Sequence, residues 1–324
     1  MLSRLRPFSL TASSFLIAFV PAALVLVAPV GLAAAQSDSA AVDAPTIAVD
    51  VDLVVLPATV RDHAGHLVAD LHQNDFAIYE DGVRQTLRLF RHEDVPVTVG
   101  LVIDHSGSMK HKLADVVAAA RLFARSSNPD DQFFVVNFNE HVTLGLPRAV
   151  GFTSRTEELE RAIGATPADG QTALYDAVLE GLERSRAGVP DRKVLIVFSD
   201  GGDNASAHAL AEVLKKVSES SVVIYTLGIF EPEDPDQNPD VLRRLARVTG
   251  GDAFFPAQFN EVEAICGRIA HYIRNEYTLG YSSNSSAAPG TRRALRVEAH
   301  AAGRRSLSVR TRSGYMASPE GHAK

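Results

Sequence analysis

The residues best suited to chemistry are oxygen-bearing side chains at the ends of predicted strands. Asp104, Ser106 and Ser108 lie in the sequence Asp-His-Ser-Gly-Ser directly after the apolar run VTVGLVI. Asp200 follows a second apolar run, KVLIVF, and Thr172 ends the sequence DGQT just before a helical pattern. Hydroxyls and carboxylates are hard oxygen ligands that suit Mg²⁺, Mn²⁺ or Ca²⁺ and disfavour Zn²⁺. The pattern predicts a divalent-cation site, with Mg²⁺ the preferred ion.

The elements that must position these residues are strands and helices that alternate between residues 95 and 275. The apolar runs VTVGLVI, QFFVVNF, KVLIVF and SVVIYTLGI are each long enough for one strand. Several lack polar alternation, which is typical of strands buried on both faces of a parallel sheet. The order predicts a doubly wound α/β domain with a mostly parallel sheet. Ligands of such folds bind at the carboxyl ends of the strands, so the predicted cation ligands should share one edge.

Both flanks of this domain have the alternation of β-strands. Residues 47–94 form a predicted β module in which Asp81-Gly82 indicates a hairpin turn. Residues 276–316 form a predicted C-terminal β-hairpin region containing ALRVEAHA and SLSVRTR, followed by a tail, 317–324. The chain enters the α/β domain at the amino end of its first strand and leaves along an antiparallel helix. We therefore expect the two flanks to pack together, opposite the cation site.

The N-terminus has the pattern of an export signal. Arg4 and Arg6 precede an apolar stretch, and Ala33 to Ala35 supply the small residues of a cleavage site. We predict a signal peptide over residues 1–35 and a flexible linker over 36–46, which implies an extracytoplasmic protein, periplasmic or secreted. The alternative is an uncleaved N-terminal membrane anchor, because the apolar run is nearly long enough to span a bilayer. No other run in the sequence is long and apolar enough to span one.

Composition narrows the function classes. The net charge of −7 argues against general binding to nucleic acid or anionic lipid. The single cysteine, Cys266, shares a helical spacing with apolar residues and is expected in the core. Arginines crowd the C-terminal β region, where they could face outward and discourage edge pairing or could meet an acidic partner. These arginines are Arg292, Arg293, Arg296, Arg304, Arg305, Arg310 and Arg312.

The five oxygen ligands together resemble a known site. The sequence is similar to the von Willebrand factor A domain family, whose metal-ion-dependent adhesion site has the pattern Asp-x-Ser-x-Ser, then Thr, then Asp. All five positions are filled here, and the resemblance covers residues 95–275. It implies that Ser106 and Ser108 coordinate the ion directly, Thr172 directly or through water, and Asp104 and Asp200 largely through water. The flanks resemble those of bacterial exported proteins related to this family, through DFAIYEDGVRQ and Gly314-Tyr315.

These observations predict an exported, non-enzymatic module that binds a protein partner. A cation held by neutral hydroxyls is under-neutralised, so an Asp or Glu carboxylate of a partner is a strong remaining ligand. Sequence motifs of nucleotide-binding, serine-hydrolase and zinc-protease sites are absent. Two alternatives use the same residues: a Mg²⁺-dependent hydrolase acting on phosphates, with Lys110 and Lys112 nearby, and a structural module whose ion only stabilises the loops.

Overall fold

The computed structural model describes residues 53–147, 149–230, 236–258, 260–285, 288, 290–304 and 306–317. The predicted signal peptide, the linker and the tail beyond residue 317 lie outside these ranges. The strands within them are numbered along the chain: β1 (Leu53–Arg61), β2 (Phe76–Glu80), β3 (Val83–Gln85), β4 (Leu87–Arg91), β5 (Val97–Asp104), β6 (Gln132–Phe138), β7 (Val142–Leu144), β8 (Arg192–Ser199), β9 (Val223–Gly228), β10 (Ala253–Phe254), β11 (Tyr277–Ser282), β12 (Arg292–Ala299), β13 (Ser308–Arg310) and β14 (Gly314–Met316). The helices are α1 (Leu113–Ser126), α2 (Thr156–Ile163), α3 (Leu174–Ser185), α4 (Leu210–Glu219), α5 (Pro239–Thr249) and α6 (Asn260–Arg274), with 3₁₀ turns at Gln73–Asp75 and Gly107–Met109.

The central sheet has the strand order β10-β9-β8-β5-β6-β7. All neighbouring strands in it are parallel except β6 and β7, which are antiparallel. Helices α1, α2 and α6 pack on one face of this sheet and α3, α4 and α5 on the other. The predicted doubly wound, mostly parallel α/β domain is confirmed.

Strand β5 shows why its sequence has no polar alternation. All of its residues are buried, with Val99, Leu101 and Ile103 in the core under α1 and Val102 in the core under α3. A Cβ added at Gly100 would lie 2.3 Å from the Phe134 ring, so glycine allows the neighbouring strand to pack closely. Burial on both faces therefore fixes the strand whose last residue is Asp104.

The flanking strands form two further sheets, with orders β13-β1-β11-β4 and β14-β12-β2-β3. Both sheets contribute to one apolar core, which includes Leu56, Ile78, Tyr277 and Val297. Strand β11 pairs antiparallel with both β1 and β4, and β12 pairs antiparallel with β2. We call these eight strands the β unit; it combines residues from both sides of the α/β domain.

One polar cluster is buried within the β unit. Glu80, which is 1% exposed, accepts hydrogen bonds from the hydroxyls of Tyr281 (2.6 Å), Ser283 (2.7 Å) and Tyr315 (3.3 Å). Arg293 Nη1 lies 3.1 Å from the same carboxylate. These groups come from β2, β12, β14 and the end of β11, so the cluster joins the two sheets.

Two expectations about the C-terminal region are wrong. The runs ALRVEAHA and SLSVRTR do not form a hairpin with each other, because β12 pairs with β2 and β14 whereas β13 pairs with β1 in the other sheet. The turn between them carries the chain across the shared core. The arginines do not all face outward either, since Arg293 and Arg312 are 5% and 7% exposed.

The other described arginines of this group also bond within the chain. Arg310 pairs with Asp252, Arg296 with Glu298 and Arg304 with Asp70. Arg292 donates to the Ser313 hydroxyl at 3.3 Å. The described arginines of this pattern therefore bond within the chain, and Arg310 and Arg312 reach from the β unit to Asp252 and Ser220 of the α/β domain. In the described ranges, no helix is both long and apolar enough to cross a membrane.

Candidate metal centre

The Asp-His-Ser-Gly-Ser sequence forms a tight turn at the carboxyl end of β5. Asp104 is fully buried and accepts hydrogen bonds from the Ser106 amide (2.8 Å) and the Ser199 hydroxyl (2.7 Å). The turn continues into the 3₁₀ turn Gly107–Met109, and α1 begins only at Leu113. A 3₁₀ segment therefore separates the Asp104 turn from the first helix of the domain. Ser199, the last residue of β8, was missed at the sequence level.

Side-chain oxygens from two loops form a continuous chain at this edge. The hydroxyls of Ser106 and Ser108 are 3.2 Å apart, and the Ser108 hydroxyl donates to Asp200 Oδ2 at 2.6 Å. Asp200 Oδ1 accepts the Gly202 amide at 3.0 Å. Neighbouring oxygens around a six-coordinate Mg²⁺ are separated by about 3 Å, because each lies about 2.1 Å from the ion. The 3.2 Å separation of the two serine hydroxyls is compatible with adjacent ligands on a small cation, and the 2.6 Å hydrogen bond places Asp200 beside them.

The electrostatics of the turn favour a cation. Burial, and secondly the negative charge of Asp200, raise the pKa of Asp104 to about 7, against the lowering effect of its hydrogen bonds to Ser106 and Ser199. Two carboxylates that repel each other in a buried place are stabilised by a positive ion between or beside them. In the described part of the chain no group of three or more His, Cys, Asp or Glu residues could hold a metal. A site of two carboxylates and several hydroxyls is a different donor set, and it fits Mg²⁺ chemistry.

Thr172 lies at this edge in a loop whose backbone is held by several elements. The Gly107 amide donates to the Gly170 carbonyl (3.2 Å) and the Asp169 amide to the His105 carbonyl (2.9 Å), which fixes the loop against the Asp104 turn. The Gln171 amide donates to Glu140 (3.0 Å), from the turn between β6 and β7. Thr172 itself is held by backbone bonds, and no described residue hydrogen-bonds its hydroxyl.

The loop after Asp200 supplies the partners of Thr172. Asn204 Oδ1 accepts the Thr172 amide at 2.9 Å, and the Asn204 and Ala205 amides donate to the Thr172 carbonyl, both at 3.0 Å. We call residues 203–208 the clamp loop. The structure thus brings Asp104, Ser106, Ser108 and Asp200 into one hydrogen-bonded group, whereas Thr172 bonds through its backbone to Asn204 and Ala205, which follow Asp200 in the chain.

The clamp loop and the start of α3 cap each other. The amides of Tyr175 and Asp176 donate to the side chains of Asp203 (2.9 Å) and Ser206 (3.1 Å). In return, the Asp176 carboxylate accepts the amides of residues 207 (2.9 Å) and 208 (3.2 Å) and lies 2.7 Å from the His208 ring. Despite partial desolvation, these bonds lower the pKa of Asp176. Sequence reasoning missed this arrangement because its donors and acceptors are about thirty residues apart.

Two buried basic side chains also lie near the edge. His105 is fully buried, and its Nε2 lies 3.1 Å from Asn137 Oδ1. Lys112 is 1% exposed and donates to the Ile229 carbonyl at 3.1 Å. The Lys112 ammonium is therefore hydrogen-bonded inside the protein. Cys266 is buried in the core under α6 as expected, and burial raises the pKa of its thiol to about 12.

Comparison with known proteins agrees with this fold. The model of the von Willebrand factor type A domain matches residues 98–268, more than half of the chain. The chain therefore belongs to the von Willebrand factor type A domain family. Domains of this family typically mediate protein–protein interactions and commonly bind a divalent metal ion.

The matches with individual relatives cover only part of the length of each relative. The inter-alpha-trypsin inhibitor heavy chain H2 of Mus musculus is 30% identical over 173 residues, which are 50% of this chain and 18% of that protein. An uncharacterized protein of Synechocystis is 26% identical over 163 residues, 48% of this chain and 37% of that protein. The chain thus spans less than half the length of these curated relatives. A solved von Willebrand factor type A structure from Catenulispora acidiphila has 15% identity and a TM-score of 0.48, with 78% of each chain covered.

Proposed function

We propose that this protein is an exported, non-enzymatic module that binds a protein partner through a divalent cation. The cation, Mg²⁺ by preference, is held by Asp104, Ser106, Ser108, Thr172 and Asp200. The observation that carries this proposal is the chain of oxygens from Ser106 through Ser108 to Asp200 (3.2 and 2.6 Å), backed by the buried carboxylate of Asp104.

The donor set explains why such a site binds partners. Its donors include three uncharged hydroxyls, which leave most of the charge of the cation uncompensated. When bound, the ion offers a strong electrostatic attraction to a carboxylate. An Asp or Glu side chain of a partner protein is the ligand that this chemistry favours. Family membership supports the same function, because these domains typically mediate protein–protein interactions.

The hydrolase alternative receives no support from the nearby lysines. Lys112 is buried, and its ammonium bonds to a backbone carbonyl. Only Lys110, of the two considered, is exposed. A site that orients phosphate oxygens needs cationic groups directed at those oxygens. Lys110 and Lys112 do not provide a pair of such groups.

The first test is calorimetric titration of the purified protein with Mg²⁺, Mn²⁺ and Ca²⁺. We expect saturable binding that is lost in a Ser106→Ala, Ser108→Ala double variant and kept in Ser218→Ala, a serine on α4. Absence of binding to the unaltered protein would refute the metal site.

The second test separates partner binding from a purely stabilising ion. Proteins captured with and without chelator are compared for the unaltered protein and the double serine variant. Capture that survives both chelator and the double substitution would contradict the proposal. Thermal stabilisation by metal without any metal-dependent capture would support the structural alternative instead. Export is tested separately by sequencing the N-terminus of the purified protein, which we expect to begin at Gln36.

A further inference from the structure

The position of Thr172 depends on Asn204, a residue outside the five predicted ligands. The Asn204 side chain accepts the Thr172 amide at 2.9 Å, while its own amide donates to the Thr172 carbonyl at 3.0 Å. One residue therefore bonds both polar backbone groups of Thr172. Asn204 is itself exposed, so burial in a core does not account for this geometry.

The clamp loop that carries Asn204 is fixed at its far end. Asp176, in the first turn of α3, accepts the amides of Ala207 (2.9 Å) and His208 (3.2 Å). At the near end, Asp203 accepts the Tyr175 amide at 2.9 Å. Asn204 is thus held between two attachments to α3, the helix that begins two residues after Thr172. The clamp loop and the Thr172 loop act as one hydrogen-bonded unit.

The side of Thr172 facing away from the clamp loop is also fixed. The preceding residue, Gln171, donates its amide to Glu140 at 3.0 Å. The following residue, Ala173, donates its amide to the Asn139 carbonyl at 2.7 Å. Three consecutive amides are therefore bound to two separate loops. The backbone of Thr172 therefore has a defined position, and no described residue hydrogen-bonds its hydroxyl directly.

A fixed ligand position affects Mg²⁺ and Ca²⁺ differently. Mg²⁺ requires near-ideal octahedral geometry with oxygens at about 2.0–2.1 Å, whereas Ca²⁺ accepts six to eight oxygens in flexible arrangements at about 2.3–2.6 Å. A loop that holds the backbone of one ligand residue in place limits how far its hydroxyl can move outward, which favours the smaller ion. Releasing that loop should cost Mg²⁺ affinity more than Ca²⁺ affinity.

We propose that Asn204 is a positioning residue that gives this site its preference for Mg²⁺ over Ca²⁺ by holding Thr172. The inference rests on the proposed cation site and goes beyond it, because Asn204 is not one of the ligands. Residues that orient metal ligands typically change metal affinity by about 10–100-fold when removed. We expect Asn204→Ala to lower Mg²⁺ affinity by about tenfold and Ca²⁺ affinity by a smaller factor.

The experiment measures Mg²⁺ and Ca²⁺ affinities by calorimetry and thermal unfolding of the metal-free protein. Asn204→Asp keeps the acceptor oxygen and should keep the ratio of the two affinities, even though its added charge strengthens binding of both ions. Asp176→Ala frees the far end of the clamp loop and should lower the ratio as Asn204→Ala does. Glu212→Gln is the matched control, since Glu212 lies 3.9 Å from the His208 ring and holds no amide of the clamp loop.

The outcomes separate this inference from the proposed function. An unaltered protein that binds neither ion overturns both. An unaltered protein that binds the ions, with the same affinity ratio in Asn204→Ala, overturns the positioning role alone. A fall in both affinities by one common factor, together with a lower unfolding temperature of the metal-free variant, also overturns it. A lower ratio in Asn204→Ala and Asp176→Ala, with Asn204→Asp and Glu212→Gln unchanged, supports it.

Discussion

Cation affinity should depend steeply on pH because of Asp104. Burial and the nearby charge of Asp200 raise its pKa to about 7 in the metal-free protein. A cation favours the ionised carboxylate, so binding must displace the proton wherever Asp104 is protonated. With a pKa of about 7, roughly 90% of Asp104 is ionised at pH 8 and roughly 10% at pH 6. We therefore expect the apparent Mg²⁺ affinity to fall about tenfold from pH 8 to pH 6.

The stability of the metal-free protein should change in the opposite direction. The folded pKa of Asp104 lies above its ordinary value of 3.8, so the folded state holds the proton more tightly than the unfolded state. Its contribution is most favourable at low pH and is lost as pH rises from about 4 to about 7. A rise in pKa of this size corresponds to roughly 4 kcal/mol for a fully buried group.

The assay is calorimetric Mg²⁺ titration at pH 6, 7 and 8 in two buffers of different ionisation enthalpy. The buffer comparison reports the protons released, which we expect to approach one per ion at pH 6 and to be few at pH 8. Asp104→Asn is the control, because its amide does not titrate and any remaining affinity should be nearly independent of pH. An affinity in the unaltered protein that is equal at pH 6 and pH 8 would refute the reasoning.

Three further substitutions test other parts of the structure. Glu80→Ala leaves Arg293 buried without its carboxylate, so we expect a loss of about 3–5 kcal/mol in chemical denaturation. Gly170→Ala places a Cβ 1.7 Å from Glu140 Oε2, at a backbone φ of +84°. It should lower the free energy of unfolding by about 1–3 kcal/mol and weaken Mg²⁺ binding. An unchanged Mg²⁺ affinity in calorimetry would contradict this. Tyr277→Phe removes hydroxyl bonds to the Leu71 amide and Val68 carbonyl (3.0 and 2.9 Å) and should cost about 1–3 kcal/mol in unfolding free energy.

The α/β domain could be predicted because its signals are local. Burial on both faces leaves uninterrupted apolar runs in β5 and β8, and α1 begins and ends with the helical pattern LADVVAAARLFARS. The Asp104 turn was recognisable because its residues are consecutive and follow a strand. In each case a few neighbouring residues determine the local structure.

The rest of the site depends on contacts between distant residues, which one sequence does not reveal. Asn204 reads as an ordinary loop residue, and only the fold places it beside Thr172, 32 residues earlier. Arg293 likewise reads as a surface charge. The alternation of residues along β12 does not show that it faces the core, because its partner Glu80 lies 213 residues earlier. The strand order of the β unit was not predicted for the same reason, since β13 and β12 belong to different sheets.

The pairing of β4 with β11 has a mechanical consequence. These antiparallel neighbours place Arg91 opposite Thr278, so the whole α/β domain occupies the position of a loop between two adjacent strands. Its first strand and its last helix both meet the β unit at the end of the sheet away from Asp104. Under the proposed function, a pulling force applied by a partner at the cation would divide between these two neighbouring chain crossings. The α/β domain is therefore attached to the β unit by two chain segments, and both of them share the load.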